Sequence, residues 1–183
     1  IFQQREIAWC SSPGCNASSV ADYAVTAIVG LLDRMRMSRT PRVGVVGLGH
    51  VGSKVAARCH ALGFEVHASD PPRAAREAGA PRGEAHDPPT PPLHPLTTLL
   101  RGCDLLTVHV PLTRVGPHAT DALVKARDVS ASSVRAVINT SRGGIVEAAG
   151  LSALPTPPWQ AIDVWEAEPS PSPALLGAAE VLM

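Results

Sequence analysis

The chain has 183 residues, 45% of them apolar, and its sixteen basic residues balance sixteen acidic ones. That length and apolar content suit a folded domain with a full core, and the even charge leaves no positive field to gather nucleic acid or anionic lipid. The longest uncharged apolar run, Tyr23 to Leu32, is too short to span a bilayer and no basic-then-apolar signal segment leads the chain, so a cytoplasmic protein with a small-molecule partner, and no membrane or nucleic-acid partner, is expected.

The chain opens on Ile1 rather than a methionine, so a processed product or a piece of a longer frame is expected. Cys10 and Cys15 have no second cluster at zinc-ligand spacing, and Cys59 and Cys103 stand apart, so buried free thiols and no metal site are expected. Ser18 and Ser19 occupy positions suited to a helix N-cap, with Asp22 at capping-box spacing from Ser19. Apolar residues then recur at Val20, Ala24, Ala27, Ile28, Leu31 and Met35, which predicts a long amphipathic helix over about 19–35.

After Pro41, the short β-branched run RVGVVG predicts a buried parallel strand. Similar runs follow at FEVHAS, DLLTVHV, RAVINT, QAIDV and, weakly, EVLM, so six strands are available. Between the first two lies VGSKVAARCHALG, apolar at Val51, Val55, Cys59 and Leu62 and closed by Gly63 as a C-cap, a strand-helix-strand unit of βαβ size. Residues 81–95, PRGEAHDPPTPPLHP, are crowded with prolines and predict an extended surface loop without helix or ladder pairing, ahead of the helix-like LTTLLRG. Strands alternating with helices point to an α/β fold, a doubly wound parallel sheet of Rossmann type.

Within GLGHVG, Gly47 suits the tight turn off the strand, Gly49 a backbone approach to a pyrophosphate, and Gly52 close helix packing. Asp70, ending the second strand, can accept from ribose hydroxyls and repel a 2′-phosphate, which favours NAD over NADP. Arg73 and Arg76 nearby keep NADP open. In NTSRGG, Thr140, Ser141 and Arg142 fall at the carboxyl end of a strand, and a guanidinium there can grip a carboxylate and polarise a carbonyl. Asp163 ends the next strand and Glu168 follows five residues on. Taken alone, these acids fit capped turns equally well.

GLGHVG, HVPLT, NTSRGGIVE and DVWEAEP, in this order and spacing, resemble the D-isomer-specific 2-hydroxyacid dehydrogenases. SSPGCNASSVADYAV and DPPRA are similar to the branch that acts on 4-phospho-D-erythronate in pyridoxal phosphate synthesis. The resemblance runs from about Ser12 to about Pro169. It implies NAD as cofactor, a phosphorylated 2-hydroxy acid as substrate and a homodimer formed through the cofactor domain. It implies Arg142 as the substrate-binding, carbonyl-polarising group and Glu168 as the acid that holds a catalytic histidine. Asp163 is the implied acceptor for the nicotinamide carboxamide, His50 and Val51 present amides to the pyrophosphate, and Val110, Thr140 and Ser141 line the nicotinamide side.

In the family that histidine follows the strand that reads EVLM here, and none of the seven histidines present takes its place: His50 is in the phosphate turn, His60 on a helix, His67 and His109 in strands, His86 and His94 in the proline-rich loop, and His118 in an exposed loop. The resemblance therefore implies residues 1–15 as a remnant of a substrate domain, residues 16–183 as the NAD-binding domain, and no turnover by the chain as it stands. Three departures stand out: the longer loop at 81–95, prolines 155, 157 and 158 where the family has a helix and turn, and Glu147 in place of Asp. Three readings follow: the cofactor domain of a dehydrogenase (for 4-phospho-D-erythronate, or for another acid such as phosphoglycerate), a catalytically silent NAD-binding module, and a remnant without function.

Overall fold

Five short runs of β-branched and apolar residues pair in parallel to make one sheet, in the order β2-β1-β3-β4-β5. In this computed structural model, which describes residues 5, 7–8, 10–37, 39–78, 90–166, 168 and 170, the strands are β1 (Arg42–Val46), β2 (Glu65–Ser69), β3 (Leu105–Val108), β4 (Ala136–Asn139) and β5 (Trp159–Ile162). The helices are α1 (Ala17–Met35), α2 (Gly52–Ala61), α3 (Pro71–Ala78), α4 (Leu96–Gly102), α5 (Ala126–Ser130) and α6 (Ala148–Ser152). The central strands β3 and β4 are buried at every position, because helices cover both faces of a parallel sheet. α1 and α2 pack on one face around Ile28, Leu31, Val55 and Ile138, while α4, α5 and α6 pack on the other around Leu99, Leu106, Val137 and Leu151. The expected sixth strand, EVLM, lies outside the described residues.

The predicted long helix forms, but it begins at Ala17. Asn16 is the N-cap and makes no side-chain cap bond, so Ser18 and Ser19 sit inside the first turn rather than capping it. The capping-box role of Asp22 is also displaced: its carboxylate pairs with Arg58 of α2 at 2.9 Å, and Arg58 donates to the Ser18 hydroxyl at 2.8 Å. The preference for tertiary ion pairs over the local box follows from α2 packing beside the start of α1. Gly63 closes α2 with φ +80°, as expected, but Leu62 is 53% exposed and does not join the core.

α3 was not legible as a helix. Its prolines occupy the first turn, where the missing N–H is not needed, and Asp70 caps it by accepting from the Arg73 amide at 2.8 Å. The proline-rich segment departs from the expected unpaired loop over its described part, 90–95. Leu93 bridges Ala68 in parallel, with the Ala68 amide donating to Pro92 O at 2.9 Å and the His94 amide donating to Ala68 O at 2.8 Å. Such a bridge uses a carbonyl before Leu93 and an N–H after it, so Pro92 loses nothing by lacking a donor. Cys59 and Cys103 are buried, and burial pushes each thiol up to about 12; Cys10 and Cys15 are exposed, against expectation, because they precede α1 and lie off the core.

At the end of the sheet away from the glycine turn, Asp104 laces three strands together. Its carboxylate accepts from the Arg42 amide at 2.9 Å and from the Arg39 and Arg42 guanidiniums, and its own carbonyl accepts from the Arg135 amide at 2.7 Å. Burial raises the Asp104 carboxyl, but the hydrogen bonds from Arg39 and Arg42 outweigh it and hold the group below the ordinary carboxylate range. Replacing Asp104 with Ala leaves a buried amide unpaired and is expected to cost on the order of 1–3 kcal/mol at neutral pH in urea denaturation. The sign of the shift makes this contribution complete above the unfolded value near ~3.9 and lost as pH falls through the lower folded value, so wild type and variant should converge as the titration is repeated toward acid.

Candidate functional site

The chain runs from β1 outward to β2 and then returns to β3 on the other side of β1, and at that reversal the strand ends splay apart into a crevice. A cavity of about 460 Å³ opens there, lined by Gly47, Gly49, Asp70, His109, Val110 and His118 among others.

The three glycines of the turn have three separate physical reasons. Gly47 has φ +87°, and a Cβ on it would stand 2.6 Å from the His109 carbonyl oxygen and from Val110 Cγ1. A Cβ on Gly52 would lie 1.8 Å from the Gly47 carbonyl oxygen, so the start of α2 can close on the turn only through glycine. Gly49 meets nothing within 4 Å and faces open space, where a ligand can reach its backbone. The His50 and Val51 amides donate to no described acceptor and precede the first turn of α2, so they can serve an anion. The exposed His50 ring stacks over Gly14, whose Cβ would be 2.9 Å from Cγ.

Asp70 does more than its expected ribose contact. Its Oδ2 accepts from the Leu48 amide at 2.8 Å and its Oδ1 from the Arg73 amide at 2.8 Å, which joins the glycine turn to α3. Arg73, expected to be solvated or to serve a 2′-phosphate, is committed instead: it donates to Glu77 at 2.6 Å, to Thr90 at 3.2 Å and to the Leu48 carbonyl at 3.4 Å. Arg76 is exposed on α3.

His109 lies one residue beyond β3 rather than within it. Its Nε2 is 2.9 Å from Thr107 Oγ1 and its Nδ1 3.5 Å from Thr140 Oγ1. Burial pushes this imidazole down to about 4, so it is neutral at physiological pH and a weak proton acceptor. Val110 covers Gly47, and Ser141 is buried with its hydroxyl donating to the Val108 carbonyl. The loop that carries His118 is pinned across its base by the Thr113 and Thr120 pair: the Thr113 amide donates to Thr120 Oγ1 and the Thr120 amide to Thr113 O, both at 2.8 Å.

Arg142 is exposed on the turn after β4 and donates to the Ser141 carbonyl at 2.6 Å. Asn139 shapes that turn, accepting from the Ser141 amide and donating to the Arg142 carbonyl, each at 3.0 Å. Asp163 follows β5 directly, and its amide donates to Asn139 O at 3.0 Å. Glu168 Oε1 accepts from the Trp165 amide at 2.7 Å. A Cβ on Gly143 would lie 2.1 Å from the Trp165 carbonyl oxygen, so the Arg142 turn and the acidic turn are in direct contact. Asn139, Gly143 and His109 lie within the NTSRGG and HVPLT stretches, yet nothing in those stretches assigns them a part, because the Asp163 and Trp165 backbones and Thr140 that they meet are brought to them by the folded sheet. Among the described residues no histidine hydrogen-bonds Glu168 and no cluster of side chains could hold a metal ion.

A parallel sheet whose first strand ends in this glycine turn, with a carboxylate at the end of its neighbour and a crevice at the reversal of strand order, defines a Rossmann-type dinucleotide-binding domain. Residues 33–183 match the family described as D-isomer specific 2-hydroxyacid dehydrogenase, NAD binding domain. The chain belongs to that family. It is 43% identical to the erythronate-4-phosphate dehydrogenase of Salinibacter ruber and 38% identical to that of Azotobacter vinelandii, each match covering 98% of this chain and 45% and 46% of the relative. The chain thus spans about half the length of the curated relatives it matches. The fold is shared with a formate dehydrogenase from Staphylococcus aureus solved with NAD (24% identity, TM-score 0.69, 89% of this chain and 52% of that one). It is shared also with a D-lactate dehydrogenase from Aquifex aeolicus solved with NAD and lactic acid (21% identity, TM-score 0.70, 96% and 59%).

The contact at Gly143 makes a sharp prediction. Gly143→Ala forces a methyl into the Trp165 carbonyl and must push the two turns apart, so it is expected to destabilise the chain by roughly 1–3 kcal/mol in urea denaturation. Gly102→Ala, where a Cβ meets nothing within 4 Å, is the control and should be tolerated with a far smaller effect.

Proposed function

We propose that this chain is the NAD-binding part of a cytoplasmic dehydrogenase that oxidises 4-phospho-D-erythronate, with residues 16–183 as the cofactor domain and residues 1–15 as the edge of a substrate domain. The observation that carries the cofactor reading is the junction at Asp70. Its carboxylate lines the cavity beside a glycine turn in which Gly47 and Gly52 have no room for a Cβ and Gly49 is open to a ligand, and Arg73 on α3 is already paired with Glu77. A 2′-phosphate would meet the Asp70 carboxylate, with Arg73 already paired and Arg76 exposed on α3 as the remaining nearby guanidinium, whereas ribose hydroxyls would find an acceptor. The 43% identity to a curated erythronate-4-phosphate dehydrogenase supports the substrate.

NAD, when bound, supplies the hydride acceptor. The chain's own residues do the rest of the work assigned to this half. The His50 and Val51 amides and Gly49 bind the pyrophosphate, and Val110, Thr140 and Ser141 form the wall beside the nicotinamide. Arg142, exposed on its turn, grips the substrate carboxylate and polarises the C2 oxygen. Glu168 orients a histidine that accepts the hydroxyl proton and stabilises its charged form. His109 is unsuited to that part, because burial makes it a weak proton acceptor and both its nitrogens face threonine hydroxyls. The exposed Val29 of α1, with half-buried Val25 and Leu32 beside it, supports a homodimer formed through this helix; sedimentation should show a dimer, and a monomer at high concentration would count against it.

Titration by fluorescence should show NADH binding more tightly than NADPH, with the preference narrowed in Asp70→Asn; equal binding in wild type would overturn the cofactor reading. The 183-residue chain should produce no NADH from 4-phospho-D-erythronate, because no described histidine pairs with Glu168. A chimera carrying this chain in place of the matching segment of the Salinibacter ruber relative should oxidise that substrate and lose on the order of a hundredfold or more in rate with Glu168→Gln. Oxidation of 3-phosphoglycerate in preference would redirect the substrate assignment to another branch of the family.

A further inference from the structure

We propose that His67 and His94 form an acid-sensitive latch that holds residues 90–94 along β2 and lets go once both imidazoles carry a proton. His67 Nδ1 lies 3.1 Å from His94 Nε2, and His67 Nε2 lies 2.8 Å from Glu65 Oε1. The rings are tilted by 49° with centroids 5.2 Å apart, so the nitrogens, not the ring faces, make the contact. An ionised carboxylate can only accept, so Glu65 fixes the proton of neutral His67 on Nε2 and leaves a lone pair on Nδ1. His94 then donates its Nε2–H across the gap. This side-chain tie reinforces the backbone bridge between Ala68 and residues 92–94.

The proton count decides when the latch holds. One proton added to the neutral pair is accommodated, because charged His67 donates from Nε2 to Glu65 and from Nδ1 to a neutral His94, with charge assisting both bonds. A second proton makes both facing nitrogens donors, and two cations then stand together with no acceptor between them. The latch is therefore complete at neutral pH and is lost as pH falls and the second proton arrives. The carboxylates of neighbouring elements are engaged elsewhere. Asp104 holds Arg39 and Arg42, of which Arg42 is in register with Glu65 on β1, and Glu77 holds Arg73 on α3. α4, packed on β2, carries only Arg101, which is exposed, and Cys103 beyond it is a thiol that burial pushes up to about 12. α2 packs on the opposite face of β2, beside Val66 and Ala68.

Opening the latch reaches the cavity from both ends of the strap. Thr90 accepts from Arg73, which also donates to the Leu48 carbonyl of the glycine turn. Pro95 is the N-cap of α4, whose first residue, Leu96, lines the cavity with Asp70. The effect on nucleotide binding rests on the cofactor reading, while the latch itself does not.

Amide exchange on the 183-residue chain is the test. Corrected for intrinsic rates, protection of the Ala68 and His94 amides should fall about tenfold, the size of a lost hydrogen bond, between pH ~7.5 and ~5, the span in which imidazoles titrate. The Trp159 amide, on the opposite edge of the sheet, should keep its protection. In His94→Gln the amide side chain can donate to neutral His67 or, turned over, accept from charged His67, so protection should not change with pH. NAD⁺ affinity should fall severalfold in acid for wild type and less for His94→Gln; His50 and His118, present in both proteins, cancel from that comparison. In wild type alone, imidazole nitrogen shifts should place the proton of neutral His67 on Nε2. No acid loss of protection in wild type, an equal loss in His94→Gln, or neutral His67 protonated on Nδ1 would overturn the latch. An opening that leaves NAD⁺ affinity unchanged would overturn its tie to the crevice, and no NAD⁺ binding at neutral pH would overturn the cofactor reading instead.

Discussion

One carboxylate holds two loops of this domain in place. Asp70 accepts one amide from the turn after β1 and another from the first turn of α3, so the two connections that flank the first βαβ unit meet at a single side chain. Among the described residues no second carboxylate joins the two loops, though the Arg73 guanidinium also reaches the Leu48 carbonyl at 3.4 Å. The Leu48 amide sits inside a turn whose backbone is so compressed that Gly52 approaches the Gly47 carbonyl closer than any Cβ could. α3 has two prolines in its first turn and no buried residue, so little packing holds it against the sheet. An ionised acceptor is stronger than a neutral one and does not need a long-range partner to stay in register, which suits a residue that must fix both.

The rest of the site is arranged from the sheet outward by similar short ties. Asn139, the last residue of β4, clamps the Ser141 and Arg142 backbone with its side chain and receives the Asp163 amide on its carbonyl. Gly143 lets the Trp165 backbone lie across the Arg142 turn. The arginine and the two acids are therefore placed by one strand end and one glycine, not by contacts among their own side chains. Exposed functional groups stand on a backbone that is hydrogen-bonded throughout, and that combination keeps long side chains available without letting their origins move.

The strands, α1 and the glycine turn were legible because their signals are local: β-branched runs of four to six residues, apolar recurrence at helical spacing, and glycines at fixed offsets. The errors also have local causes. Ser18 and Ser19 have good capping chemistry, but the capping signal cannot see Arg58, which draws Asp22 away. The helix at 71–78 is not expected from the sequence although its first turn tolerates the prolines at 71 and 72, and the proline-rich segment still bridges β2 because only the carbonyl of Pro92 is used. Arg73 looked like a surface cation until Glu77 and Thr90 were placed beside it. The lacing by Asp104 and the crossing at Gly143 lie wholly outside what spacing can show, since each joins residues brought together by the completed sheet.

Asp70 and Glu168 thus have structural duties beside the chemical ones proposed for them, and the two can be separated by choosing what replaces them. Asp70 accepts from two backbone amides and Glu168 from the Trp165 amide, all within the chain itself. Alanine at either position removes an acceptor that the apo fold already uses, so the loss reports loop order as much as ligand recognition. Asparagine or glutamine keeps a carbonyl oxygen for one amide and removes the charge, and the difference between the two substitutions isolates the electrostatic part. For Asp163 the situation differs: its backbone is anchored through its own amide, so a change of its side chain leaves that tie in place.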